Sequence, residues 1–256
     1  MHRKEPTERA SSYVLRERPL SISFLAAAGL MLALKCLFDL QPQDFPLRDQ
    51  ASAFAWPAVL LALGLAIAGR YAERGLGWPQ LSAGNTSVRT GLLYAGIAGA
   101  VYGAITIGQF VLARGHHPLA ESEWVHVPLP WSVPFYTYGT LFLEFMLRLG
   151  SLTILTWGLY TVLRRRRLPN IIFWSVNVLV SLFEIWPFMA RDIQRGDWMS
   201  VAVTPIQPLF LSNMYEGWLL RRYGWLAPII FRAVFYLLWH VLFGGLAKPL
   251  FINESA

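Results

Sequence analysis

Hydrophobic positions in this chain gather into long apolar runs separated by short polar connections, unlike the alternating pattern of a half-buried strand. Seven runs have about the length that a helix needs to cross a bilayer core. The predicted spans are 22–38, 51–68, 91–113, 136–163, 171–190, 201–220 and 225–246. The fourth is long enough to tilt or to emerge from the membrane. The predicted fold class is therefore all-α, a polytopic transmembrane helix bundle with seven or eight spans.

Composition and chain organisation agree with a membrane protein. Of the 256 residues, 55% are hydrophobic and 14% are charged, which is more apolar surface than one soluble domain needs. We expect a cytoplasmic N-terminal segment at 1–20, a single transmembrane bundle at 21–247 and a C-terminal tail at 248–256. The first run lacks a signal-peptide cleavage site, so we expect it to be retained. The single cysteine, Cys36, excludes an intrachain disulfide.

The basic residues predict the orientation of the bundle. Fourteen lysines and arginines fall on one side of the predicted spans, with Arg70 counted among them, and five fall on the other. The larger group includes the run RRRR at 164–167. The positive-inside rule then predicts an integral protein of the plasma (inner) membrane, with a cytoplasmic N-terminus and the C-terminus outside. Because topology accounts for the basic residues, we expect the lipid bilayer as a partner and no nucleic acid.

Polar residues recur at helical spacing inside several of the predicted spans. Glu144 and Arg148 lie four residues apart in an otherwise uncharged stretch, so we expect them to share a helix face and form an ion pair. Two other spans carry polar lines with similar steps, and the sixth adds Glu216 near its cytoplasmic end, where a solvated helix end is expected. These lines are Asn177, Ser181 and Glu184, and then Arg232, Tyr236 and His240. Lipid is the wrong surroundings for such lines, which predicts that they converge inside the bundle or on a water-filled cavity.

Small residues mark one packing face. Gly99 and Gly103 lie four residues apart in the third predicted span. Small side chains at this spacing let two helix backbones approach closely. We therefore expect this face to pack against another helix.

The polar residues resemble the motifs of the CAAX-protease and bacteriocin-processing family of intramembrane peptidases, which includes the type II CAAX prenyl endopeptidases. That family's pattern is EExxxR, then FxxxH, then HxxxN or HxxxD on later helices. In a first register, LEFMLR resembles the opening motif through Glu144 and Arg148, and FWSVN resembles the second through Asn177. Arg232 and Tyr236 then fall where the third motif belongs. This register covers about 132–246 and implies a CAAX-protease-like bundle.

A second register uses the end of the chain. EGWLLR resembles the opening motif through Glu216 and Arg221, and YLLWH resembles the next through His240. Both registers depart from the family. The first has Leu143 in place of the first glutamate, and the second has Gly217 in place of the second glutamate. The resemblance implies that catalytic residues would come from Glu144, Arg148, Asn177, Glu216, Arg221, Arg232, Tyr236 and His240.

These residues leave three functions open. Peptide hydrolysis needs a general base, a proton donor and an oxyanion donor, which Glu144 or Glu216 with Arg232, Tyr236 or His240 would supply. The resemblance implies an endopeptidase that acts on a membrane-tethered peptide, with reduced or lost activity. The first alternative is a non-catalytic protein that binds a peptide or a partner membrane protein in the former active-site cavity, and the second is a transporter or channel. We expect no cofactor and no metal ion.

Overall fold

The computed structural model describes residues 21–41, 55–79, 86–112, 127, 129–163, 169–203 and 208–247. Every regular element in these ranges is helical, which confirms the all-α fold class. The α-helices are α1 (Ile22–Asp39), α2 (Trp56–Leu76), α3 (Thr86–Leu112), α4 (Ser132–Leu143), α5 (Thr153–Val162), α6 (Pro169–Gln194), α7 (Trp198–Val203), α8 (Pro208–Tyr223) and α9 (Leu226–Tyr236). Two π-helical segments complete the set, π1 (Glu144–Leu152) between α4 and α5, and π2 (Leu237–Ala247) after α9.

Five helices among the described residues are long and apolar enough to cross a membrane. They are Ile22–Asp39, Arg89–Leu112, Ser132–Val162, Asn170–Gln194 and Leu226–Gly245. This supports the membrane-protein prediction, with fewer spans than the seven or eight predicted. Helix α2 is long enough, but a charged last turn lowers its hydropathy, and α8 has only 16 residues.

Two predicted spans have different bounds in the structure. The second was expected at 51–68, whereas α2 begins at Trp56 and continues to Leu76. Proline next to its start and Gly77, in the left-handed conformation with φ of 67°, define the ends of this helix. The sixth was expected as one span at 201–220, whereas the structure has two separate helices, α7 and α8.

Close helix packing depends on glycine at two interfaces. A Cβ at Gly99 would lie 2.4 Å from the carbonyl oxygen of Phe231, so α3 and α9 approach at backbone distance. This confirms the packing role predicted for this face. A Cβ at Gly69 would lie 1.7 Å from the carbonyl oxygen of Leu149, so α2 is equally close to π1.

The π-helical backbone of π1 is supported by hydroxyl groups on its own chain. Ser151 Oγ donates to the carbonyl oxygen of Met146 at 2.8 Å, and Thr153 Oγ1 donates to that of Arg148 at 3.0 Å. Both bonds reach five residues back, which is the spacing of a π-helix. Such segments often occur at functional sites, and π1 carries both Glu144 and Arg148.

A tight turn sets α8 against α9. Gly224 joins the two helices with φ of 89°, a conformation that favours glycine. The turn brings two consecutive helices of opposite direction into contact, so that Glu216 on α8 faces Arg232 on α9.

The N-terminal segment at 1–20, the RRRR run at 164–167 and the tail at 248–256 lie outside the described residues, so the orientation stays a prediction.

Candidate functional site

Five charged side chains meet inside the bundle. They come from four helical segments: Glu144 and Arg148 from π1, Glu184 from α6, Glu216 from α8 and Arg232 from α9. We call this group the charge centre. Exposure of these side chains ranges from 1% for Glu144 and Arg148 to 11% for Glu184, so the charges are removed from solvent. A group of ions at this depth is stable only when its members pair closely.

Arg232 holds all three carboxylates. Its Nε donates to Glu144 Oε1 at 2.6 Å, and its Nη2 donates to Glu216 Oε2 at 2.5 Å. Its Nη1 lies 2.8 Å from Glu184 Oε1. Every nitrogen of this guanidinium therefore faces a carboxylate, which matches the rigid fork of donors that arginine presents.

Arg148 joins two of the same carboxylates from the opposite helix. Its Nη2 donates to Glu184 Oε2 at 2.6 Å and to Glu216 Oε2 at 2.8 Å. Glu184 and Glu216 are thus each bridged between two guanidinium groups. Glu144 forms its ion pair with Arg232 alone among the described residues.

The ion pair predicted between Glu144 and Arg148 is wrong. Each side chain pairs with a residue on another helix instead. The prediction assumed an α-helix, in which residues four apart share a face, but Glu144 and Arg148 lie in a π-helix, where the wider turn changes that spacing. Arg148 also pairs with two carboxylates on other helices, which together stabilise it more than the single carboxylate of Glu144 on its own segment would.

The two motif registers meet at one arginine. Glu144 belongs to the first register and Glu216 to the second, yet both pair with Arg232. Glu216 is 2% exposed, so the expectation of a solvated helix end at this position is wrong. The short helix α8 places this carboxylate at the level of Glu144 because the turn at Gly224 folds it back along α9.

Several polar atoms of the centre lack a hydrogen-bond partner among the described residues. They are Glu144 Oε2 and two nitrogens of Arg148, Nε and Nη1. Both side chains are almost completely buried. A buried polar atom without a partner costs about 1–3 kcal/mol, so these atoms are hydrogen-bonding capacity that the fold itself does not use.

Asn177, expected in the site, is committed to the backbone of α8. Its Nδ2 donates to the carbonyl oxygen of Met214 at 2.9 Å. Gly217 lies directly against it, since a Cβ there would fall 2.0 Å from Asn177 Oδ1. Packing thus explains glycine at position 217, because the amide of Asn177 takes the space of a larger side chain.

Tyr236 and His240 form an aromatic group beside the centre. Arg232 Nη1 donates a long hydrogen bond of 3.4 Å to Tyr236 Oη. The His240 ring stacks on Tyr136 with centroids 4.2 Å apart and meets Tyr236 edge-on at 4.9 Å. The structure therefore brings Tyr236 into contact with the centre and places His240 one ring further along π2.

Arg221 lies elsewhere. Its Nη2 donates to Asn170 Oδ1 at 2.6 Å, and its guanidinium lies 4.6 Å from the ring centroid of Phe173. These contacts join the end of α8 to the start of α6. Arg221 therefore acts in helix packing and not among the ions of the charge centre.

Glu184 is the member of the charge centre that the sequence analysis did not predict as a site residue. It appeared in the polar line with Asn177 and Ser181, but no family motif covers its position. In the structure it pairs with both arginines. Its place seven residues after Asn177 on one helix face was the available signal.

A second buried ion pair lies in α2. Arg70 donates to Glu73 one turn away, with the two residues 1% and 0% exposed, and the Arg70 guanidinium lies 5.8 Å from the ring centroid of Trp225. Counting Arg70 as a residue of a cytoplasmic connection was therefore wrong. Its burial comes from the longer C-terminal end of α2, which the predicted span did not include.

The charge centre is better suited to bind a polar group than to activate a water molecule. A general base must have a lone pair free to take a proton, and all three carboxylates are paired with guanidinium groups, with Glu144 Oε2 left as an oxygen that has no partner among the described residues. Among the described residues no group of three or more histidine, cysteine or acidic side chains has an arrangement that could hold a metal ion.

Comparison with protein-family models, curated proteins and solved structures finds no match to this chain.

Proposed function

We propose that this chain is a CAAX-protease-like integral membrane protein that binds a membrane-tethered peptide, or a segment of a partner membrane protein, without cleaving it. The observation that carries the proposal is the ion pairing of all three carboxylates of the charge centre to two arginines. Hydrolysis of a peptide bond needs one of these carboxylates free to take a proton from water. Here each carboxylate is held in an ion pair with arginine, and Glu144 keeps one oxygen, Oε2, outside its pair with Arg232.

The residues at the departing motif positions support a non-catalytic role. Leu143 has no acid or base function, and Gly217 is packed under Asn177. The side-chain amide of Asn177 donates a hydrogen bond to the carbonyl oxygen of Met214. Arg232, at the position of a family histidine, is permanently charged and does not shuttle protons. The centre has thus kept its charges and lost its proton-transfer groups at these positions.

The unused polar atoms support binding of a peptide. Arg148 Nε and Nη1 are donors, and Glu144 Oε2 is an oxygen on the adjacent turn of the same segment. An extended peptide offers carbonyl oxygens and N–H groups in alternation, which match these atoms. The side chains of the centre are only 1–11% exposed, so a peptide would reach them after the helices separate. Inside a membrane this match has special value because water does not compete for the same groups.

An endopeptidase is the second candidate, and one observation favours it. Glu144 Oε2 has no partner among the described residues, so this oxygen is the carboxylate atom of that residue without a hydrogen bond. Arg232 and Tyr236 are close enough to stabilise an oxyanion beside it. The same residues therefore have a defined role under either candidate, which makes the two separable by experiment.

The deciding experiment uses the purified protein in lipid nanodiscs with a set of lipidated and unlipidated membrane peptides that carry a photo-crosslinking group. Product and adduct masses are read directly. We expect adducts with intact peptide and no cleavage product. Arg148→Gln should reduce the adduct at least tenfold, because it removes the unused donors, whereas Glu73→Gln removes a buried carboxylate outside the centre and should leave binding unchanged.

Two results would overturn the proposal. A cleavage product that disappears in Glu144→Gln and persists in Glu73→Gln establishes the endopeptidase instead, with the 10²–10⁴-fold loss of rate typical of a missing general base. Absence of both adduct and product across the whole peptide set refutes peptide binding.

We further infer that the protein lies in the plasma (inner) membrane with its N-terminus in the cytoplasm. The support is the asymmetry of lysine and arginine between the predicted connections. A reporter fused after Arg167 should report the cytoplasm, and one fused after Pro118 should report the outside. If both report the same side, the predicted orientation is wrong.

A further inference from the structure

The charge centre holds one more acid than base. Three glutamates and two arginines pair with one another at distances of 2.5–2.8 Å. Among the described residues, the other titratable side chains that interact with these groups are tyrosines, Tyr236 on α9 and Tyr102 on α3, which are neutral when protonated. With every glutamate ionised, the centre would carry a net charge of minus one.

An unbalanced charge at this depth is strongly unfavourable. Removing a carboxylate from water costs several kcal/mol even after the protein relaxes, unless a positive group compensates it. A cation or a proton would restore neutrality. Side-chain exposures of 1–11% leave the centre closed to a hydrated metal ion or an organic cation, whereas a proton needs no space.

We propose that the charge centre binds one exchangeable proton, held on Glu144. The two arginines distribute their contacts unequally among the glutamates. Glu184 and Glu216 each face both guanidinium groups, whereas Glu144 is paired with Arg232 alone. Glu144 is therefore the carboxylate whose negative charge is least compensated.

A second observation identifies the same residue independently. Glu144 is 1% exposed, and its Oε2 has no hydrogen-bond partner among the described residues. An ionised oxygen in that position would lack any donor, while its neighbour Oε1 keeps the bond from Arg232 Nε in either state. Protonation at Oε2 neutralises the centre without breaking one of the observed ion pairs.

The charge count makes a quantitative prediction for variants. Glu184→Gln leaves two acids with two arginines, so the proton on Glu144 should be released although Glu144 itself is unchanged. Arg148→Gln leaves three acids with one arginine, so a second proton should bind. The number of protonated glutamates should therefore be zero in Glu184→Gln, one in the parent and two in Arg148→Gln.

Infrared spectroscopy of the full chain in lipid nanodiscs counts these protons. Glutamate labelled with ¹³C separates its carboxylic acid band from that of aspartate, and solvated carboxyl groups, which titrate at about pH 4, are ionised at neutral pH. We expect one glutamic acid band at neutral pH that shifts in deuterated water. Glu144→Gln should remove it, and Glu73→Gln, which removes a buried carboxylate already paired with Arg70, should leave it unchanged.

The parent protein alone can overturn the proposal. If labelled parent shows no glutamic acid band at neutral pH, the centre holds no proton, and this result needs no variant to fold. A band that survives Glu144→Gln contradicts the proposal, because the charge count predicts its loss from this variant. A band lost in Glu73→Gln assigns the proton to the pair in α2. None of these three outcomes decides whether the protein binds a peptide, which is measured separately.

Discussion

The charge centre and the ion pair in α2 are two buried electrostatic groups of different construction. Arg70 and Glu73 lie one turn apart on one helix and balance each other, beneath the ring of Trp225. The charge centre takes its five members from four helical segments, and its acids outnumber its bases. The local pair joins two residues of one helix, whereas the centre exists only after the bundle has assembled.

This difference separates structure from function. A balanced buried pair can often be replaced by apolar residues with little loss of stability, so its charges need no further role. The charge centre differs in having one more acid than base, and a surplus buried charge needs a compensating group. The centre is accordingly where we expect a ligand and a proton, and the α2 pair is the matched internal control.

The largest effect is expected from Arg232→Leu. This change leaves three buried carboxylates without a shared partner, and losing one partner of a buried ion pair already costs about 3–5 kcal/mol. We expect destabilisation at or above the upper end of that range, measured as the loss of monodisperse protein after extraction and heating. Lys35→Leu is the control, because its partner Asp39 is 39% exposed and should lose little. Equal yields for the two variants would contradict the prediction that Arg232 stabilises all three buried carboxylates.

The next effect tests the control pair itself. Arg70→Leu should cost about 3–5 kcal/mol because it removes one partner of a buried ion pair. The double change Arg70→Leu with Glu73→Leu should recover most of that loss in the same heating assay. In the centre, no single second substitution should recover Arg232→Leu to the same extent, since three partners are affected. Full recovery by Glu144→Leu would show that the centre behaves as a simple pair.

A smaller effect is expected where the glutamate pair of the family motif would be restored. Gly217→Glu forces a side chain into the position of Asn177 Oδ1, and overpacking of this kind costs about 1–3 kcal/mol. The variant should lose thermal stability and gain no cleavage activity. Gly158→Ala is the matched helical control, because nothing lies within 4 Å of a Cβ at that position. Wild-type stability of Gly217→Glu would mean that Asn177 does not occupy this space.

Much of the fold was predictable from local pattern. Apolar runs of membrane length gave the all-α class, and glycines four apart identified the close contact of α3 with α9. The i, i+4 spacing of Arg232 and Tyr236 holds because α9 is a regular α-helix up to Tyr236. These features depend on spacing within one helix, which the sequence contains directly.

For the charge centre, the sequence predicted most of the residues but not which of them form ion pairs. Glu144, Arg148, Glu216 and Arg232 were identified, but their pairing was not, because π1 departs from α-helical spacing and the partners lie up to 88 residues away. Glu184 was omitted since no motif covers it. Arg70 was assigned to a connection because the predicted span ended at residue 68, whereas α2 continues to Leu76 and packs on π1 through Gly69.

The central claim is that the ions pair across helices, and a double-mutant cycle tests it most directly. Stability is measured for Arg148→Gln, Glu184→Gln, Glu144→Gln and the two double variants that contain Arg148→Gln. Residues in direct contact typically show coupling energies of about 0.5–3 kcal/mol. We predict a coupling of Arg148 with Glu184 in the upper part of this range and a clearly smaller one with Glu144, which pairs with Arg232. A stronger coupling of Arg148 with Glu144 than with Glu184 would contradict the structure of the charge centre.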